Sequence, residues 1–280
     1  LITAWSFMAR PSSRPSEPEY RRPPPQRRLA TVRTAIGAVA TAAATVPAEI
    51  VLRAITLKNR PYLPIWFHRG LSRAMGVAIR THGVPARGGP VLYVANHLSW
   101  SDIPVLGARI RASFVAKSEV AGWGPVGWLA SFAHTVYVAR DRRHSTAAQK
   151  NAIASRLRAG GSIILFPEGT NSDGTGVLPF KSSLFAVVDD VPGLTIQPVT
   201  LAYTRINGLP VTRRQLPDIA WVGDTELAPH ALGFIGLGRV TADILFHPPV
   251  RPQDFSDRKA LARHCHQTIL DGYRRLMRGH

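Results

Sequence analysis

Short apolar runs that alternate with helical stretches beyond Gly83, glycine and proline punctuation between them, and an arginine-flanked, Ala-rich segment ahead of them predict the fold class. That class is α/β, a mixed sheet covered by helices and preceded by an N-terminal membrane-associated helical segment. The 280 residues, 45% of them hydrophobic, suffice for one sizeable core and an appendage.

Residues 1–28 are rich in Pro, Arg and Ser, with Pro23, Pro24 and Pro25 in a row, and read as a disordered basic arm. The apolar stretch Ile2 to Met8 lacks a charged leader and a small-residue cleavage site, so it does not read as a signal peptide. Residues 29–82 read as membrane-associated helices. Thr34 to Ala48 carries no charge, yet is shorter than the roughly 20 apolar residues a span requires, which favours an interfacial or re-entrant element. Ile65 to Ile79 sets Trp66, Phe67, Leu71, Met75 and Ile79 beside His68, Arg69 and Arg73, the composition of a helix at a lipid surface.

Residues 83–280 read as the catalytic domain. Strands are expected at Val91 to Ala95, Ser113 to Lys117, Thr135 to Ala139, Ser162 to Phe166, Thr195 to Tyr203 and Val240 to Phe246. Helices are expected at Ile103 to Ile110, Gly124 to Ala130, Thr146 to Ala159, Ser182 to Val188 and Arg258 to Met277. Gly160 and Gly161 stop the third of these.

The formal net charge of +18 calls for an anionic partner or surface, and both nucleic acid and anionic lipid qualify. The single cysteine, Cys265, has no internal partner for a disulfide, and no Cys/His spacing resembles a zinc site.

Two constellations carry chemistry. Val91 to Ala95 runs into Asn96 and His97, with Asp102 five positions after the histidine, across a strand-to-helix turn. At that spacing the carboxylate can hold one imidazole nitrogen protonated and leave the other free to accept a proton from an alcohol. The second, Phe166-Pro167-Glu168-Gly169-Thr170, follows another strand. Pro167 ends the ladder and Gly169 permits an unusual turn, presenting Glu168 and Thr170 beside exposed amides able to grip a polar headgroup.

Together these residues resemble the glycerophospholipid acyltransferase family, whose first motif is Asn-His-four residues-Asp and whose third is the five residues from Phe166. Lys117, the run Val136 to Arg140, Phe180-Lys181 and Ile196 to Val199 resemble further family elements, so the likeness spans roughly Pro90 to Val250. The resemblance implies that His97 and Asp102 are catalytic. It implies substrate contacts from Asn96, Lys117, Arg140, Glu168, Gly169, Thr170, Asp173 and Lys181. It also implies transfer of a fatty acyl group from acyl-CoA or acyl carrier protein to a lysolipid hydroxyl, with no metal or cofactor, at the cytoplasmic face of the inner membrane.

Lysophosphatidate acyltransferases place Arg after Glu-Gly-Thr, where its planar fork suits a phosphate, and here Asn171 stands. His134 and Ser182-Ser183 depart from the same branch. Glu168 to Gly174, Leu178 to Phe185 and Trp221 to Asp224 resemble the lyso-ornithine-lipid acyltransferase branch, with a lysophosphatidate acceptor as the alternative. In the ornithine reading Asp173 meets the acceptor's ammonium and Arg140 or Lys181 its carboxylate. A basic nucleic-acid-binding protein is the rival from another class; it explains the charge but neither motif. No Gly-x-Ser-x-Gly elbow is present, which favours direct transfer over an acyl-enzyme.

Overall fold

The computed structural model describes residues 25–56, 63–118, 122, 124, 135–138 and 143–278. The basic arm through residue 24, His134, Arg140 and all but Gly124 of the helix expected at Gly124 to Ala130 lie outside the described residues.

Two helices lead: α1, Pro25–Thr56, and α2, Leu63–Ala74. Pro25, with no amide hydrogen to leave unsatisfied, suits the first turn of α1. Thr34 to Ala48 lies inside this uninterrupted helix and contains no re-entrant break. Within it, Arg28–Val51 is 24 residues long and apolar enough to cross a bilayer by length and composition, so the shortness read from Thr34 to Ala48 no longer argues against a span. The helices meet through small residues. A Cβ on Gly37 would lie 2.6 Å from that of Ala74, Gly70 lies against Thr41, and Thr34 Oγ1 donates to Ala74 O at 2.8 Å. Leu29, Val32, Ile36 and Val39, at helical spacing, remain exposed along α1.

The strands are β1, Val77–His82; β2, Val91–Ala95; β3, Ser113–Lys117; β4, Val136–Val138; β5, Ile163–Leu165; β6, Thr195–Ile206; β7, Leu209–Pro210; and β8, Val240–Phe246. Their order is β1-β8-β6-β2-β5-β3-β4, with β7 pairing β6. Contacts of β8 and β7 with β6 are antiparallel and the rest parallel, which makes the sheet mixed.

Helices α3, Asp102–Gly107; α4, Arg143–Arg158; α5, Leu216–Ile219; α6, Leu227–Ile235; and α7, Arg258–Arg278 complete the fold with a 3-10 stretch, Ser182–Asp190. Every residue of β2 is buried because both faces of the sheet are covered. Val91, Tyr93 and Ala95 enter one core with Met75, Leu106, Phe114 and Phe234, whereas Leu92 and Val94 enter the other with Ile153, Leu157, Phe185 and Ile269.

The helix expected over Ile65 to Ile79 stops at Ala74, and Val77–His82 is an edge strand of the sheet. Gly76 makes the break at φ 82°, where an added Cβ would sit 2.5 Å from Gly238 O, and β1 then pairs in parallel with β8. Leu71, Met75 and Ile79 are spaced as on a helix, but Val77 and Ile79 also alternate as on a strand, and pairing to β8 decides between them.

Candidate active site

β2 and β5 are parallel neighbours, so the segments leaving their C-terminal ends emerge side by side. From β2 come Asn96 and His97; from β5 comes Phe166. Asp102 opens α3, and its Oδ2 accepts from His97 Nδ1 at 2.8 Å, Leu98 N at 2.6 Å and Ser99 N at 2.9 Å. Tyr203 Oη, from β6, donates to Asp102 Oδ1 at 2.8 Å. The loop is therefore wrapped around a fully buried carboxylate. Burial, and then the charge of Asp102, raises the Tyr203 hydroxyl well above its ordinary range, which keeps its proton in place. With that proton committed to Asp102, Ser101 Oγ, at 2.7 Å, is the donor to Tyr203.

Because Nδ1 faces a carboxylate, it carries the hydrogen, and the neutral ring offers a lone pair at Nε2. Nε2 has no hydrogen bond to any described residue, and the side chain is 18% exposed. Phe166 stacks on the imidazole at 4.1 Å and 13°, and Phe114 lies behind it. Ring plane and tautomer are both fixed, so the arrangement can take a proton from a group approaching the open edge.

Glu168 fastens the second loop to the first. Oε1 accepts from His97 N at 2.7 Å and Oε2 from Leu178 N at 2.9 Å. Burial raises its carboxyl to about 7 against the lowering effect of these two amides, with the Asp102 charge adding to the rise. Ser172 N also donates to His97 O at 2.8 Å.

The acyltransferase family model matches residues 77–202, which include both loops. The lyso-ornithine lipid O-acyltransferase of Brucella abortus is 45% identical over 217 residues, which cover 75% of this chain and 81% of that one. The chain belongs to the acyltransferase family. The like-named protein of Rhizobium meliloti is 39% identical, over 80% of this acyltransferase and 78% of its own length. The 1-acyl-sn-glycerophosphate acyltransferase structure from Thermotoga maritima shares the fold, with a TM-score of 0.61 at 22% identity over 90% of this chain and 96% of that one.

Several of the expected contact residues of this acyltransferase have partners within the protein itself. Asn96 is fully buried, and its amide exchanges two hydrogen bonds with the backbone of Leu201 in β6, at 2.8 and 2.9 Å. It mimics a peptide group at the strand's end. Glu168, 2% exposed, accepts from a backbone amide at each of its two oxygens. Gly169, at φ 69°, lets Lys181 approach, since a Cβ there would lie 2.8 Å from Nζ. Thr170 and Asp173 are exposed, and Asp173 Oδ1 holds the amide and hydroxyl of Thr175 at 2.9 and 2.7 Å, which lowers its carboxyl. The side chain of Lys117, at the end of β3, lies outside the described residues with Arg140.

Residues that motif reading did not select complete the enzyme's site. Tyr203 and Ser101 hold Asp102, and Phe166, read as the end of a strand and the first residue of a motif but given no contact of its own, stacks on His97. His230 Nδ1 in α6 accepts from Trp100 Nε1 at 3.1 Å, and Trp221 N donates to Leu98 O at 2.9 Å. Among the described residues no group of three or more His, Cys, Asp or Glu is placed to hold a metal ion.

Proposed function

We propose that this acyltransferase moves a fatty acyl group from a thioester, acyl-CoA or acyl carrier protein, to the hydroxyl of lyso-ornithine lipid at the cytoplasmic face of the inner membrane. The observation that carries the chemistry is the His97–Asp102 contact of 2.8 Å with Nε2 left open. Nε2 takes the acceptor's proton as its oxygen attacks the thioester carbonyl. The carbon–sulfur bond then breaks, and the leaving thiolate takes the proton from the imidazolium that Asp102 stabilises. The amides of His97, Leu98 and Ser99 are already engaged. Those of Trp100, Ser101, Thr170 and Asn171, without partners among the described residues, are the amides of the two loops left to donate to the oxyanion.

The acceptor reading rests on the loop after Gly169 and on the names of the similar proteins. Asn171 Nδ2 reaches Leu98 O at 3.4 Å and supplies no cation for a phosphate. The same segment presents an exposed Asp173 carboxylate and the Lys181 ammonium, a pair of opposite charges suited to a headgroup with an amine and a carboxylate. Purified enzyme given labelled acyl donor should acylate lyso-ornithine lipid in preference to lysophosphatidate. Acylation of lysophosphatidate alone would overturn the acceptor reading and leave the chemistry standing.

The membrane reading rests on the exposed apolar stripe of α1 and on Trp66 of α2, which is 58% exposed with the Arg69 guanidinium 5.1 Å over its ring. Residues 29–76 then act as the anchoring segment and 77–280 as the catalytic domain.

A further inference from the structure

A groove with a cavity of about 300 Å³ lies between the N-terminal half of α7 and the segment Pro179–Ser182. Its floor is Ala262 and one wall is Phe180, whose ring meets His266 edge-on at 5.2 Å. Lys259, Arg263 and His266 stand at helical spacing along the α7 side, and Ser182 stands opposite. Neither Lys259 nor Arg263 has a carboxylate within salt-bridge distance among the described residues, and no lining residue is acidic. The neighbouring acid, Asp257, spends Oδ1 on Ala260 N at 2.7 Å, capping the helix. That hydrogen bond and, from a distance beyond ion-pair contact, both cations lower the Asp257 carboxyl. Cations without a direct carboxylate contact around an apolar floor select an anionic group carried on an organic body.

The groove is tied to the site by a short path. Phe166 stacks on His97 at 4.1 Å, Pro167 follows it, and Pro167 O accepts from Lys181 N at 2.9 Å, between the two groove residues Phe180 and Ser182. It also lies on the far side of the sheet from the anchoring helices. Phe180 and Ala262 belong to the core containing Leu92 and Val94, whereas Leu71 and Met75 of the α2 region pack in the other.

We propose that this groove binds the phosphate at the end of the pantetheine arm of the thioester donor, with Lys259, Arg263 and the Ser182 hydroxyl as its ligands. The donor then enters from the aqueous side while the lysolipid arrives from the side of α1 and α2, and the two meet at His97. This assignment rests on the acyl-transfer reading above.

The test uses full-length enzyme in detergent and the double variant Lys259→Ala, Arg263→Ala. Both side chains are exposed, so the melting temperature should not move. Calorimetry with 4′-phosphopantetheine and with pantetheine should show that the wild type prefers the phosphorylated form by about tenfold or more and that the variant has lost the preference. The variant's KM for the thioester should rise by a similar factor, with kcat within about twofold. Equal binding of the two probes by wild type would overturn the proposal. So would an unchanged KM combined with loss of binding to phosphatidylglycerol vesicles, which would assign the cations to lipid. If wild type binds phosphopantetheine but turns over no thioester, the acyl-transfer reading fails and the groove assignment loses its donor.

Discussion

His97 is held in place by its own loop and by segments distant in sequence, and substitutions there test its proposed role separately from folding. His97→Ala removes a partly exposed ring that makes one side-chain hydrogen bond. It should lower kcat by about 10²- to 10⁴-fold with little change in melting temperature. Asp102→Asn should cost both, because a buried acceptor of four hydrogen bonds gains an NH₂ that cannot accept from them. Tyr203→Phe is the subtler probe. It leaves Asp102 Oδ1 and Ser101 Oγ without their partner, so stability should fall by about 1–3 kcal/mol in urea titrations while activity is reduced rather than abolished.

Among elements, the loop from Phe166 to Lys181 behaves as a clamp whose strength depends on pH. Folding raises the Glu168 carboxyl from 4.5 to about 7, so the folded protein holds a proton there that the unfolded chain releases. The stabilisation is fully present below pH 4.5 and is lost as pH rises through about 7, a decline of up to about 3 kcal/mol. Denaturation of wild type and Glu168→Gln across that window checks it: the variant should start less stable, with an amide NH₂ facing Leu178 N, and lack this slope. Gly169→Ala should lose about 1–2 kcal/mol from its left-handed backbone alone and displace Lys181.

The same scale shows what the sequence makes legible. Strand β2 can be read with its ends because its continuous apolar run stops at Pro90 and Asn96, and β8 because its mostly apolar run, broken by Thr241 and Asp243, stops at Arg239 and His247. β1 is obscured by two coexisting periodicities, and α6 by Pro229 and Gly233 within nine residues. His97 and Asp102 are readable because they are neighbours along the chain. Tyr203 is not, since nothing near it in sequence announces a partner 101 residues away. Asn96 and Glu168 were recognisable as important, but their inward orientation depends on strand pairing that sequence spacing does not encode.

For the whole molecule, the +18 charge and the apolar stripe on α1 act together. Removing residues 1–56 should release the protein from membranes in flotation assays, whereas raising salt should weaken only the attachment of the basic surface to anionic lipid. Retention of the truncated chain at high salt would move the anchor elsewhere.

The two hydrogen bonds between Asn96 and Leu201 span 105 residues. During synthesis the leading helices leave the ribosome first and can reach a bilayer while β6 is still unmade. Until β6 emerges, the strand leading to His97 has only β5 beside it and lacks the tyrosine that steadies Asp102. The bonds that fix the His97 loop are therefore complete only when β6, in the second half of the chain, has been made.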